Sequence, residues 1–116
     1  MSRPDPEDVY QDRPDSVPSI TQQVETGCGN IYVIVGTLEG SNAPYELQIK
    51  LGKAGGCMYC NLEAIARLTT LCLKCGATTT EIVNQLKNLK CPSKTFYQSA
   101  EIHSCPDAVA KVLDTL

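Results

Sequence analysis

Gly52-Lys53-Ala54-Gly55-Gly56-Cys57 divides the chain into two unlike halves. Before it, apolar residues recur every second position; after it, they recur with helical spacing. Three glycines in five positions let the backbone turn tightly and present its N–H groups. The segment after the loop reads as a helix ending near Gly76. Asn61 is a suitable N-cap, Glu63 falls in the first turn, and Leu62, Ile65, Leu68 and Cys72 form a stripe flanked by Leu71 and Cys75. Lys74 lies in its last turn, and Gly76 can take the left-handed cap. A glycine loop holding a lysine and feeding a helix start is a candidate anion site, made of Gly52, Lys53, Gly55 and Gly56. Its spacing is not that of a Walker A loop, and the plainer reading is a strand-to-helix turn with a solvated lysine.

Upstream, Asn30 to Val35 reads as a strand with Ile31, Val33 and Val35 on one face and Tyr32 and Ile34 on the other. Gly36 to Pro44 carries turn chemistry. Tyr45 to Leu51 alternates strictly, with Tyr45, Leu47, Ile49 and Leu51 opposite Glu46, Gln48 and Lys50. These two strands form an antiparallel hairpin whose second strand has one wet face. Residues 1–20, rich in Pro and Asp, read as a disordered or extended arm, leaving 21–116 as the single folded domain.

Downstream, Thr78 and Glu81 fit a capping box for a second helix running through Ile82, Val83, Leu86 and Leu89 to about Lys90, closed by Cys91-Pro92. Lys94 to Ile102 is a loop or short strand. A last helix opens at Ser104-Cys105-Pro106-Asp107, with Pro106 at its first position, and carries an apolar stripe of Val109, Val112, Leu113 and Leu116. The order predicts an α+β fold: a small antiparallel sheet followed by about three helices.

A chain of 116 residues supports one modest core. The net charge of −3 resides in residues 1–20, where Arg3 and Arg13 face five acidic residues; the remainder balances. No basic face suits nucleic acid, no apolar run is long enough to cross a bilayer, and no signal sequence is visible, so the expected setting is cytoplasmic. There, seven cysteines are core residues, metal ligands or redox groups rather than a disulfide framework.

Cys57-x-x-Cys60 and Cys72-x-x-Cys75 invite a four-thiolate zinc reading. Eleven intervening helical residues would hold the pairs about 16 Å apart, too far for one ion. Cys72 and Cys75 read instead as core packing. Cys28, Cys57, Cys91 and Cys105 each sit at an element boundary, where ligands from separate segments can converge; the alternative is that they are simply buried. His103 is the sole histidine and a substitute ligand. Nothing supplies an acid to orient it in a nucleophilic pair.

Gly27-Cys28-Gly29-Asn30-Ile31-Tyr32-Val33, Leu51 to Cys57, Glu63 to Leu68, Ile82 to Lys87 and Ser104 to Leu113 together resemble the TSCPD domain, over about Thr21 to Leu116. Of the Thr-Ser-Cys-Pro-Asp pattern, only the first position departs, as His103. The domain occurs at the C-terminal end of adenosylcobalamin-dependent ribonucleotide reductases and in short free-standing proteins. The resemblance implies a metal-binding module using Cys28, Cys57, Cys91 and Cys105, with zinc the expected ion. It also implies an accessory or regulatory tie to ribonucleotide reduction, without the reductase's catalytic barrel or cobalamin site. Two other functions fit the residues: a non-enzymatic nucleotide-binding or nucleotide-sequestering protein using the Gly52–Gly56 loop, and a thiol redox protein using Cys57 and Cys60. A homo-oligomer is expected, because three short helices leave part of a two-stranded hairpin uncovered.

Overall fold

The computed structural model describes residues 13–38, 40–52 and 56–116. Three antiparallel strands come first, in the order β1 (Ser19–Thr26), β2 (Gly29–Thr37) and β3 (Pro44–Leu51). Helix α1 (Gly56–Lys74) and helix α2 (Thr79–Leu86) follow, then a short hairpin of β4 (Thr95–Tyr97) and β5 (Ala100–Ile102), and finally helix α3 (Cys105–Asp114).

The hairpin expected from period-two patterning is β2–β3, with Ile31 opposite Leu51, Val33 opposite Ile49 and Val35 opposite Leu47. This register puts the whole apolar set on one face, where Val24, Ile31, Val33, Val35, Leu47 and Ile49 are all buried. β1 is an additional strand, pairing along its full length with β2. Its sequence, SITQQVET, buries only Val24 and Thr26, so it lacks the apolar alternation that marks the other two. Of the preceding segment, Arg13 forks onto the Glu46 carboxylate at 2.8 and 3.0 Å, and the Pro18 carbonyl accepts from the Thr37 N–H.

The first helix starts earlier than the sequence indicates, at Gly56 rather than at an Asn61 cap, and its buried face is rotated. Leu62, Ala66 and Thr69 are buried, with Leu73 packed against the core; Leu68, Leu71 and Cys72 are exposed. The core reading of Cys72 therefore does not hold, and Cys75 is only half-buried. The cause is Thr69 and Thr70: both serve the protein side of the helix, and a hydrophobicity pattern does not count them. α1 ends as expected, with Gly76 at φ 94°, its N–H on the Leu73 carbonyl and the Ala77 N–H on the Cys72 carbonyl.

Thr70 solves a specific problem. β3 is an edge strand, and its outward N–H and C=O at Leu47 need partners. The Thr70 hydroxyl accepts from the Leu47 N–H at 2.9 Å and donates to the Leu47 carbonyl at 3.1 Å. The helix thus takes the place of a fourth strand at that point.

α2 has the expected capping box between Thr78 and Glu81, but it stops at Leu86, short of Lys90. The C-cap Lys87 is already extended, with ψ 148°, and Asn88 follows in a left-handed conformation with φ 61°, so the chain has left the helix before Leu89, which is exposed. α3 buries Ala108, Val109, Val112 and Leu113 against the sheet and α2, while Leu116 lies beyond its end and is exposed. Among the described residues no helix is long and apolar enough to cross a membrane.

Replacing Thr70 by Val keeps its volume and removes both bonds to Leu47. The expected loss is about 1–2 kcal/mol of stability. Urea unfolding reads this directly, and amide exchange at Leu47 should speed up more than at the paired Val33.

Candidate functional site

Four segments meet at one end of the molecule: the β1–β2 turn, the first turns of α1, the link after α2, and the start of α3. Each is held there by an identifiable contact.

The β1–β2 turn is Gly27-Cys28, between the paired residues Thr26 and Gly29. The Thr26 hydroxyl donates to the Gly29 carbonyl at 2.7 Å and accepts from the Cys28 N–H at 3.2 Å. The same oxygen lies 3.5 Å from the Cys105 sulfur. Gly27 presses against the Ser93 backbone so closely that a Cβ would overlap the Ser93 carbonyl. A glycine there brings the turn carrying Cys28 onto the loop carrying Cys91. Cys91 is fixed in turn by its N–H, which donates to the His103 carbonyl at 3.1 Å.

Ser104 caps α3, accepting from the Asp107 N–H at 3.1 Å. Asp107 is completely buried, and its carboxylate collects three donors. These are the Asn88 N–H at 2.7 Å, the His103 N–H at 3.0 Å and the Lys111 ammonium at 2.7 Å. Burial alone would raise its pKa, but the bonds from Lys111, His103 and Asn88 together hold it below the usual carboxylate range. The Asn88 turn, the end of β5 and the first turns of α3 are thereby tied to one charge.

Cys28, Cys91 and Cys105 line one cleft of about 350 Å³, together with Met58, Asn61, Leu62 and Ile65 of α1. Cys28 is exposed, Cys91 half-buried and Cys105 buried. Burial raises the Cys105 pKa, the Thr26 hydroxyl opposes that rise, and the neighbouring Cys28 and Cys91 sulfurs add to it. Thiol sulfurs are the donors that a thiophilic cation takes, and these three come from separate segments. Cys57, the fourth residue of the expected set, is exposed in the first turn of α1, next to Met58 of the cleft wall. Among the described residues no three His, Cys, Asp or Glu side chains are grouped closely enough to hold a metal ion as they stand.

Of the two CxxC pairs, Cys57, Cys60 and Cys72 lie on α1 and Cys75 directly follows it. From Cys60 to Cys72 is about 18 Å along its axis, which separates the pairs from any shared ion. In the glycine loop, Lys53 and Gly55 lie outside the described residues. Gly52 has its N–H on the Asn30 carbonyl at 3.1 Å, and Gly56 is the first residue of α1. His103 contributes backbone atoms to the site, and its ring lies 3.9 Å from Glu101.

Sequence reasoning does not single out Thr26 or the three-way role of Asp107. The Thr-Gly-Cys run of the turn carries a weak signal for the first. The i,i+4 spacing of Asp107 and Lys111 signals one part of the second, but nothing local signals the Asn88 partner, nineteen residues away.

The family model described as the TSCPD domain matches residues 7–116, reaching further upstream than the Thr21 boundary of the sequence resemblance. No curated protein and no solved structure matches the chain.

Asp107→Asn removes the charge facing Lys111 and turns an amide NH₂ toward groups that are themselves donors. The expected destabilisation is about 2–4 kcal/mol at neutral pH. The depressed folded pKa also fixes a sign. The wild-type advantage is complete above the unfolded carboxylate pKa of about 4 and disappears as pH falls through the lower folded value. Urea unfolding of both proteins between neutral and strongly acid pH should show the two stabilities converging at the acid end.

Proposed function

The chain belongs to the TSCPD domain family, and we propose that it is a non-catalytic metal-binding module whose ligands are Cys28, Cys57, Cys91 and Cys105. The observation that supports this most is the cleft shared by Cys28, Cys91 and Cys105, three sulfurs from segments far apart in sequence. Zinc suits an all-thiolate set, requires no redox change and takes four such ligands. Cys57 does not line the cleft itself; it would join from the first turn of α1, where its neighbour Met58 forms part of the wall. Binding would draw these segments inward, coupling metal affinity to the folding of this end of the domain.

Ion binding at this place has a clear structural use. The cleft joins the β1–β2 turn, α1, the link after α2 and α3, so one ion would crosslink four segments in a chain with a modest core. The link to ribonucleotide reduction rests on the family alone: the module would act beside a reductase rather than carry out its chemistry. The anion-loop reading draws no support from Gly52, whose N–H is already used by Asn30.

Metal analysis of protein purified under reducing conditions should find one zinc per chain. Cys91→Ser should remove it and lower the melting temperature by about 10 °C or more, whereas Cys72→Ala should leave the metal content unchanged. Metal-free wild-type protein whose melting is indifferent to added zinc and to chelators would eliminate the proposal.

A further inference from the structure

Residues 13–18 run across the outer face of the sheet. Gly36 of β2 and Glu46 of β3 belong to that face, since they alternate with the buried Val35 and Leu47. The Pro18 carbonyl accepts from the Thr37 N–H, one step beyond the β1–β2 ladder. Val17 then lies over Gly36, where an added Cβ would come within 3.0 Å of its side chain. Arg13 reaches Glu46 and makes a forked pair with it at 2.8 and 3.0 Å. Traced backward from β1, the chain thus crosses β2 and arrives at β3, the far edge of the sheet.

A groove of about 420 Å³ lies there, between β3 and α1. Glu46 is part of its wall, so Arg13 stands at its mouth. Thr70 bonds to Leu47, and the Lys74 ammonium lies 5.1 Å from the Tyr45 ring, so β3 and α1 run in opposite directions along it. Lys50, Glu63 and Arg67 therefore fall toward the other end. Some of these charges already have partners: Arg67 bonds Glu63 at 3.2 Å, and Glu46 is taken by Arg13. With Arg13 included, four cations stand against two carboxylates, and the balance is positive however these groups pair among themselves.

The six residues before Arg13 are Glu7-Asp8-Val9-Tyr10-Gln11-Asp12, with three acids and no base. At full extension they span about 20 Å. The groove wall from Glu63 to Lys74 is about 16 Å long. Ala66 and Leu71 form an apolar part of that wall, with Leu71 50% exposed, and Val9 and Tyr10 are the apolar residues within reach. The family match also begins at residue 7, which counts this stretch as part of the domain.

We propose that the groove between β3 and α1 is the seat of residues 7–12 of the same chain. Arg13 anchors the segment at the Glu46 end, and its acids and the Val9–Tyr10 pair complement the rest. A separate acidic peptide would suit the same charges, but a tethered segment competes at an effective concentration on the order of millimolar. The groove shares no described lining residue with the cysteine cleft, and the proposal does not depend on the metal reading.

Nuclear Overhauser contacts in the full chain test this. The Tyr10 ring should show contacts to the methyl groups of Ala66 or Leu71. Glu7→Lys combined with Asp8→Lys should abolish them and shift the Lys50 and Arg67 amides. Lys50→Glu combined with Arg67→Glu should abolish them from the other side. Mixing isotope-labelled with unlabelled chains distinguishes the source of the segment: contacts within one chain are expected. Contacts found only between chains would overturn the proposal in favour of a second copy. Random-coil shifts throughout residues 7–12 without contact to the groove would also overturn it, as would charge-reversed segments that leave the groove amides in place.

Discussion

The carboxylate of Asp107 is fully buried, and the far end of the molecule is built around that fact. An ionised group without water must find its hydrogen bonds inside the protein. Asp107 finds them on three separate pieces of chain, at Asn88, His103 and Lys111. Lys111 balances the charge, while the two backbone N–H groups set geometry. Withdrawing any one of them leaves a buried acceptor short. The cost of burying the charge is therefore what compels the Asn88 turn, the β5 end and α3 to stay together.

The placement of the cysteines follows from those attachments rather than from contacts between sulfurs. His103 is held through its N–H by Asp107, and its carbonyl holds the Cys91 N–H. Cys105 follows the Ser104 cap and is carried by the same helix start. On the other side, Thr26 shapes the turn that presents Cys28 and touches the Cys105 sulfur. Gly27 permits that turn to press on Ser93, two residues past Cys91. Backbone bonds and one close contact thus gather three thiols, and burial first, then the neighbouring Cys28 and Cys91, raises the pKa of Cys105. Taking Cys105 as a thiolate ligand would require the charge of a bound ion to offset that burial.

Much of the fold is legible in the sequence because its signals are local. The β2–β3 register follows from period-two alternation, the Thr78 box and the Ser104 cap are short-range patterns, and Gly76 marks a helix end by its φ. What is not legible depends on distant partners. β1 is stabilised by pairing with β2 and by Val24 alone on the apolar side, so its own composition resembles a tail. The chain leaves α2 at an extended Lys87, and the turn that follows is held by a carboxylate nineteen residues away that accepts the Asn88 N–H. The buried face of α1 escapes a hydrophobic pattern because Thr70 is recruited by an edge strand, and a threonine satisfying backbone has no hydrophobic signature. Position along the chain singles out the four boundary cysteines; that three share a cleft is a property of the tertiary contacts at Gly27 and His103.

The same contacts explain why His103 can stand where the family pattern has threonine. At Ser104, Cys105, Pro106 and Asp107 each side chain or ring has its own role. Ser104 caps the helix, Cys105 supplies a thiol, Pro106 fixes φ at the helix start, and Asp107 is the buried anion. At position 103 both structural bonds are made by the main chain, the N–H to Asp107 and the carbonyl to Cys91. Neither bond depends on what the side chain is, provided that the residue can extend and the N–H is present. The His103 ring is accordingly directed toward Glu101, and away from any part in holding the site together. Proline alone would break the pattern at this position, since it would remove the donor to Asp107 and leave a buried carboxylate oxygen with one partner fewer.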